Sequence, residues 1–333
     1  MLKLPDIMVW CDLMFDLIDD CALIICTRHR SEYVASTIKH LQTLKILPKL
    51  IVIVDSSEDS KTDRIVGDFL LSSPLPIKYL RSLPGLPHQR NMGIKYLVQN
   101  QLLKDTGIVS FLDDDVRVLP DYFEKVSQLF GENPGAISIG GYVDEKPKVN
   151  NKSLIRRLAL LGSRNTGVIL KSGFAMVPSP TSEVMETQWI PGGMQNIRLE
   201  VFKQELFNGR IRMYGEDVEF YSRIFKYGKL LCSNQLPVKH LEAVEEKDNL
   251  RNVQCFTDGF RWTMASTKRF GVKKHAVLLS TIYLIFADFI LWIVNSNSGN
   301  KESLLGHIDF MSNLIRRAEV QQFVEHIGSG PNP

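Results

Sequence analysis

The stretch CALIICTRHRSEYVASTIKHLQTLKILPKLIVIVD (21–55) carries the decision about the fold. CALIICT (21–27) and LIVIVD (50–55) are unbroken apolar runs, too short for a stable helix, and each stops at a polar residue. Both read as strands buried on two faces. SEYVASTIKHLQTLKI (31–46) between them has helical periodicity, with Ser31 as N-cap and Glu32 in the first turn. The alternation continues outward. TDRIVGDFLL (62–71) and HQRNMGIKYLVQN (88–100) read as helices, and IKYLRS (77–82) and IVSFLDDD (108–115) as strands. Apolar strands alternating with helices predict a parallel α/β sheet of the nucleotide-binding, Rossmann-like kind. Past residue 136 the order loosens, with strand-like AISIGGYV (136–143) and GVILK (167–171), which predicts a mixed second half on the same sheet.

Composition sets limits around this reading. The 333 residues are 44% hydrophobic and 23% charged, which excludes disordered, collagenous and coiled-coil chains. Net charge is +3, too small an excess to argue for nucleic-acid binding. Cys11, Cys21, Cys26, Cys232 and Cys255 are odd in number and widely spaced. They fit neither a disulfide framework nor a zinc knuckle, and favour a reducing compartment. Asp6, Asp12 and Asp16 interrupt the N-terminal apolar pattern, so no signal peptide is expected and the chain is placed in the cytoplasm. Length predicts three parts: an N-terminal helical extension (1–19), a main domain (20–245) and a helical C-terminal region (246–333).

Open α/β sheets bind ligands beyond the carboxyl ends of their strands. Here those ends are Thr27-Arg28-His29-Arg30, Asp55-Ser56-Ser57 and Asp113-Asp114-Asp115, which would share one rim. Acids beside arginines point to a ligand that carries a metal and phosphates. Carboxylate oxygens suit Mn²⁺ or Mg²⁺. Asp113 and Asp115 straddle Asp114, so at a strand end the outer two point the same way. Further on, Gly192-Gly193 lets backbone approach a ligand closely, and Gly215 opens a helix carrying Glu216-Asp217 in its first turn.

These pieces together resemble the family-2 glycosyltransferases of the GT-A fold. The likeness runs through Thr27-Arg28, Asp55, Gln89-Arg90-Asn91, the triplet 113–115, Gly-Gly-x-x-Asn at 192–196, Glu216-Asp217 and His240, over about residues 20–242. It implies transfer of a sugar from a nucleoside-diphosphate donor to an acceptor hydroxyl with inversion, in cell-surface polysaccharide or glycolipid synthesis. It also implies roles. Thr27, Arg28, Arg30, Asp55, Arg90, Asp113, Asp114, Gly192 and Gly193 would bind the donor; Asp115, Asp113 and His240 would hold Mn²⁺ or Mg²⁺. Asp217 would be the general base, with Glu216 orienting the acceptor or the loop. The third acid in the triplet departs from the usual pattern and leaves open which two act. The alternatives are a non-catalytic scaffold of the same fold and a sugar nucleotidyltransferase.

AVLLSTIYLIFADFILWIV (276–294) is 19 residues long, near the roughly 20 that cross a bilayer. Lys274, Thr281, Asp288 and Asn295 recur every seven residues as a polar stripe, and Arg261, Lys268, Arg269, Lys273 and Lys274 precede or open the segment without an acid among them. This predicts attachment of 261–294 to the inner face of the cell membrane, in keeping with a saccharide or lipid-linked acceptor. A single span, a core helix and a homodimer interface are the other uses of such a segment.

Overall fold

The computed structural model describes residues 16–72, 75–143, 154–211, 215–241, 250–295 and 298–315. In chain order the elements are β1 (Asp16–Thr27), α1 (Ser31–Leu41), β2 (Ile46–Asp55), α2 (Lys61–Ser72), β3 (Ile77–Arg81), α3 (Leu86–Gln99), β4 (Ile108–Asp113) and β5 (Val116–Val118). There follow α4 (Tyr122–Glu132), β6 (Ala136–Val143), α5 (Leu154–Leu158), β7 (Val184–Glu186), β8 (Met194–Arg198), α6 (Glu216–Ile224) and β9 (Lys229–His240). The helices α7 (Leu250–Ser266), α8 (Lys274–Asn295) and α9 (Ser298–Ile315) close the described chain.

The expected alternation builds the first half of one sheet, ordered β3-β2-β1-β4-β8-β6-β9-β5, with β7 on β9. β3, β2, β1 and β4 are parallel. Their centres are apolar because helices cover both faces: Cys21–Ile25 and Ile51–Val54 are at most 1% exposed. In α1 the buried residues Val34, Thr37, Ile38 and Leu41 lie on one helical stripe. β8 then enters antiparallel to β4 and β6, while β6 and β9 run parallel to each other, which gives the mixed second half.

Four expectations change. The N-terminal extension was expected to be helical to residue 19, but β1 already begins at Asp16; residues 1–15 lie outside the described chain. Arg30, not Ser31, holds the N-cap position of α1, and the helix stops at Leu41, so Ile46 opens β2 instead of closing a helix. GVILK (167–171) is no strand. Gly167 (φ 70°) and Gly173 (φ 76°) fold the chain into a small hairpin in which only Ile169 and Ala175 bridge. Finally, β4 stops at Asp113, and Asp114 and Asp115 form the turn into β5.

The C-terminal helices invert the expected arrangement of α8. In its middle the polar stripe faces inward: Thr281 is fully buried and Asp288 accepts a hydrogen bond from Ser303 at 2.5 Å, whereas Lys274 at the helix start is exposed. The apolar residues face out, with Leu279, Ile282, Phe286, Phe289, Ile290, Ile293 and Val294 between 43% and 70% exposed. The basic cluster is also divided. Arg261 is buried and paired with Asp258 at 2.7 Å, Arg269 pairs with Glu219 at 2.7 Å, and Lys274 sits over the Trp262 ring; Lys268 and Lys273 are exposed.

Candidate active site

Strand register brings the chemistry to one rim. Thr27 stands beside Asp55, Asp55 beside Arg81, and Cys26 beside Asp113. One group of side chains gathers where β1 and β4 end. Thr27 donates to Asp114 Oδ2 at 2.6 Å, and Thr37 donates to the Asp114 carbonyl at 2.5 Å. Arg30 spans the next two carboxylates, with Nη1 at 2.7 Å from Asp114 and Nη2 at 2.7 Å from Asp115, while its guanidinium lies 4.4 Å above the Tyr33 ring. His240, at the end of β9, brings Nδ1 to 3.6 Å from Asp115 Oδ1.

The two turn carboxylates differ electrically. Burial pushes the Asp114 carboxyl up to about 7 despite Arg30 and Thr27. Burial also opposes ionisation of Asp115, but the nearby His240 imidazole and the Arg30 guanidinium outweigh it and hold the group down at about 2. Asp115 is therefore a firm anion facing an imidazole. Asp114, expected among donor-binding residues, is 2% exposed and spends both carboxylate oxygens on Thr27 and Arg30. It ties β1, α1 and the turn together, and that is a correction to its expected role.

The second group forms where α3 meets α6. Gly215, at φ 88°, turns the chain so that Glu216 and Asp217 open the helix. Arg90 is 2% exposed and donates to Glu216 at 3.0 Å, with the Phe111 and Phe207 rings 5.8 and 5.1 Å from its guanidinium. Arg90 was expected on donor phosphate; instead its charge is neutralised inside the protein. A Cβ on Gly192 would lie 2.2 Å from Arg90 Nη2, and one on Gly193 would lie 2.2 Å from Asp113 Oδ2. Both glycines are thus close-approach positions that seat the 192–193 backbone on Arg90 and Asp113. The Gly192 amide donates to Asp217 Oδ2 at 3.2 Å, and the Val218 amide to its Oδ1 at 2.7 Å. Burial first, and then the neighbouring Glu216 charge, raise half-buried Asp217 well above the usual carboxylate range.

Two further residues stand apart. Asp55 is fully buried and accepts from the Ser57 amide (2.8 Å), the Ser57 hydroxyl (2.5 Å) and Tyr79 (2.8 Å). Arg28 points outward to Glu58 at 3.0 Å. Tyr79 and Arg81 went unnoticed in the sequence, although the Asp55–Arg81 register makes them neighbours of a recognised acid. Asn196, part of the recognised loop motif, is a core residue: it donates to Tyr122 and the Ile139 carbonyl and accepts from Ser110. Gln89 clamps the ends of β1 and β2 by donating to the Thr27 and Val54 carbonyls at 2.8 and 2.9 Å.

The family model described as glycosyl transferase family 2 matches residues 22–190, just over half of the chain. The chain belongs to glycosyl transferase family 2. A relative within reach by sequence is a glucosyl-dolichyl phosphate glucuronosyltransferase of Haloferax volcanii, 26% identical over 126 residues. That match spans 37% of this chain and 37% of the relative. Among solved structures, S. aureus TarS 1-349 in complex with UDP-GlcNAc superposes with a TM-score of 0.53 at 11% identity, over 93% of this chain and 88% of that one. At such identity the likeness is one of fold, and the fold is the GT-A type expected from the sequence.

As a family-2 member the chain invites a test of whether the residues expected to hold a metal fit one. Asp115 and His240 offer an ionised carboxylate and an imidazole 3.6 Å apart, a pair chemically suited to a shared Mn²⁺ or Mg²⁺. Among the described residues no three His, Cys, Asp or Glu side chains converge as a ready-made metal site, so Asp113 does not complete one. A cation bound here would take further ligands from outside the protein, as Mg²⁺ does when it binds through one or two carboxylates and substrate phosphates.

Proposed function

We propose that this family-2 member is an inverting, nucleotide-sugar-dependent glycosyltransferase. The observation that carries the reading is the meeting, across Gly192-Gly193, of the Asp113–Asp115 rim with the Asp217 carboxylate. One side is built for a polyanionic leaving group, and the other for removing a proton.

Asp115 and His240 would hold Mn²⁺ or Mg²⁺, which when bound offsets charge on the departing diphosphate. Arg30 and Thr27 lie beside that place, and Arg28 at its outer edge is exposed toward solvent. Asp113, half-buried against Gly193, would meet the ribose or sugar. Asp55 organises Ser57, Tyr79 and Arg81, and the edge of that network would receive the nucleobase.

Asp217 fits the base. Two backbone amides fix its carboxylate, and its raised proton affinity suits accepting a proton near neutral pH. The acceptor O–H gives its proton to Asp217 as oxygen attacks the anomeric carbon. The bond from that carbon to the diphosphate oxygen breaks, and the nucleoside diphosphate leaves with the electron pair. One displacement inverts the centre. Glu216 acts at one remove: it anchors Arg90, which carries Gly192 and so sets the position of Asp217.

Attachment to a membrane surface completes the reading. α8 is long and apolar enough to cross a bilayer, with a mean hydropathy of 2.3 in an 18-residue window within Lys274–Val294. Its apolar side is turned outward while Thr281 and Asp288 face inward, which favours lying in the interface over spanning alone. Lys268 and Lys273, exposed beside it, suit an anionic inner leaflet and an acceptor presented there, as in cell-surface polysaccharide or glycolipid synthesis.

The experiment is release of nucleoside diphosphate from UDP-, GDP- and dTDP-sugars by the full-length chain, with and without Mn²⁺. The proposal expects slow acceptor-independent hydrolysis of one donor class, stimulated by metal. No turnover or binding of any donor would favour the scaffold reading.

A further inference from the structure

Two pieces of the protein hold Asp217, and they come from different elements. Its Oδ1 takes the Val218 amide of its own helix, α6, at 2.7 Å, and its Oδ2 takes the Gly192 amide of the loop that enters β8 at 3.2 Å. The Val218 amide travels with Asp217 on α6. The Gly192 amide does not, so its bond depends on the distance between helix and loop.

Strand β6 fixes that distance, because it touches both pieces. On the loop side, Ser138, Ile139 and Gly140 pair with Ile197, Asn196 and Gln195 of β8. The Ser138 hydroxyl donates to the Asn196 carbonyl at 3.0 Å, and Gln195 donates to the Ile190 carbonyl at 2.9 Å. A Cβ on Gly140 would lie 2.2 Å from the Ile190 side chain, so the loop rests directly on β6. On the helix side, Tyr221 lies one turn beyond Asp217 on the same face of α6 and brings its hydroxyl to 2.9 Å from Ser138 Oγ. A serine hydroxyl carries one proton, and that of Ser138 goes to the Asn196 carbonyl. Tyr221 is therefore the donor to Ser138. Tyr221, Ser138, Gln195 and Asn196 are all fully buried, where a lost hydrogen bond is costly. Packing of the ring would be met equally by phenylalanine; the hydroxyl serves the bond.

We propose that Tyr221 is a positioning residue for the base: through Ser138 it locks α6 to the 190–196 loop and so holds the Gly192 amide on Asp217. The proposal rests on the reading of Asp217 as general base and adds the device that sets its geometry. Arg90 and Glu216 support Gly192 from the other side. Misplacing a reacting group by a fraction of its hydrogen-bond length is enough to slow a reaction that depends on alignment.

The test is Tyr221→Phe in the full-length chain, which keeps the ring and removes only the hydroxyl. Hydrolysis of UDP-, GDP- and dTDP-sugars with Mn²⁺ is followed across pH, together with nucleotide affinity and melting temperature. Turnover should fall about ten-fold while metal-dependent nucleotide affinity stays at the wild-type value, since the donor rim is untouched. The acid limb of the turnover profile should also move to higher pH. The Gly192 amide stabilises the ionised Asp217, so a weaker bond leaves the carboxylate easier to protonate, with Arg90 and Glu216 still in place. A general loss of folded enzyme would instead scale the rate equally at every pH. Ser138→Ala removes the acceptor of the same bond and should act in the same direction. Tyr227→Phe, which removes an exposed hydroxyl beyond the end of α6, should match wild type. A loss below about two-fold in both Tyr221→Phe and Ser138→Ala, or a loss that leaves the acid limb unmoved, would overturn the inference. Normal turnover in Asp217→Asn, or no donor hydrolysis by the wild type, would instead overturn the reading beneath it, which keeps the two failures distinct.

Discussion

The rim of the sheet and the C-terminal helices solve opposite problems with similar residues. At the rim, charged groups cluster: Arg30 and His240 keep partial exposure, while Asp55, Arg90, Asp114 and Asp115 are buried with their partners in place. In the C-terminal helices one charged cluster turns inward. Asp258 receives Arg261 at 2.7 Å and His307 Nδ1 at 2.5 Å, with all three at most 2% exposed. The outward surface of α8 is hydrocarbon. The lesson is that polarity alone does not mark a site; what matters is which medium each polar group is turned toward. At the rim the charged groups converge on one another, while the exposed side of α8 is apolar.

The sharpest way to break this contrast is at the base. Asp217→Asn should lower turnover by about 10²–10⁴-fold with donor affinity retained, as steady-state and single-turnover kinetics would reveal. Normal turnover would remove Asp217 from the mechanism. Next comes the buried support. Arg90→Leu strands Glu216 without its partner and should cost about 3–5 kcal/mol of stability in denaturant unfolding. A change below 1 kcal/mol would mean that Glu216 reaches solvent.

The opposite region is tested on lipid. Phe286→Asp places a charge on the exposed side of α8 and should lower binding to anionic vesicles by roughly 10–100-fold, from the 1.5–3 kcal/mol of one large apolar side chain. Wild-type binding should survive moderate salt, because apolar burial is unscreened. Wild type that never binds vesicles would make this surface a protein interface, such as a homodimer.

The smallest effect is on pH. The Asp217 carboxyl has its folded proton affinity raised, so the folded state binds more protons than the unfolded chain above pH 4, and stability from this group falls as pH rises toward its folded value. Asp115 has the opposite sign: held at about 2, it adds stability above its unfolded value of 3.8 that is lost as pH drops toward 2. Melting curves should therefore show Asp217→Asn flattening the neutral side, and Asp115→Asn the acid side.

Much of the donor half was legible in the sequence because β1, β2 and β4 bury both faces and read as continuous apolar runs, and their register then lines up Thr27, Asp55 and Asp113. The pairing of Arg90 with Glu216 joins residues 126 apart in the chain, and local pattern carries no trace of it. GVILK misled because its residues favour strands while the flanking glycines impose a reversal. The sevenfold stripe in α8 was visible, but periodicity locates a polar side without saying whether it faces solvent or neighbouring helices.

The central claim is that the rim binds a nucleotide sugar through a metal held by Asp115. It is tested most directly by titrating UDP, GDP and dTDP into wild type and Asp115→Asn with and without Mn²⁺. The account predicts that Mn²⁺ strengthens binding of one nucleotide to wild type and that Asp115→Asn abolishes this metal-dependent gain while the protein stays folded. An undiminished Mn²⁺-dependent affinity in Asp115→Asn would contradict it.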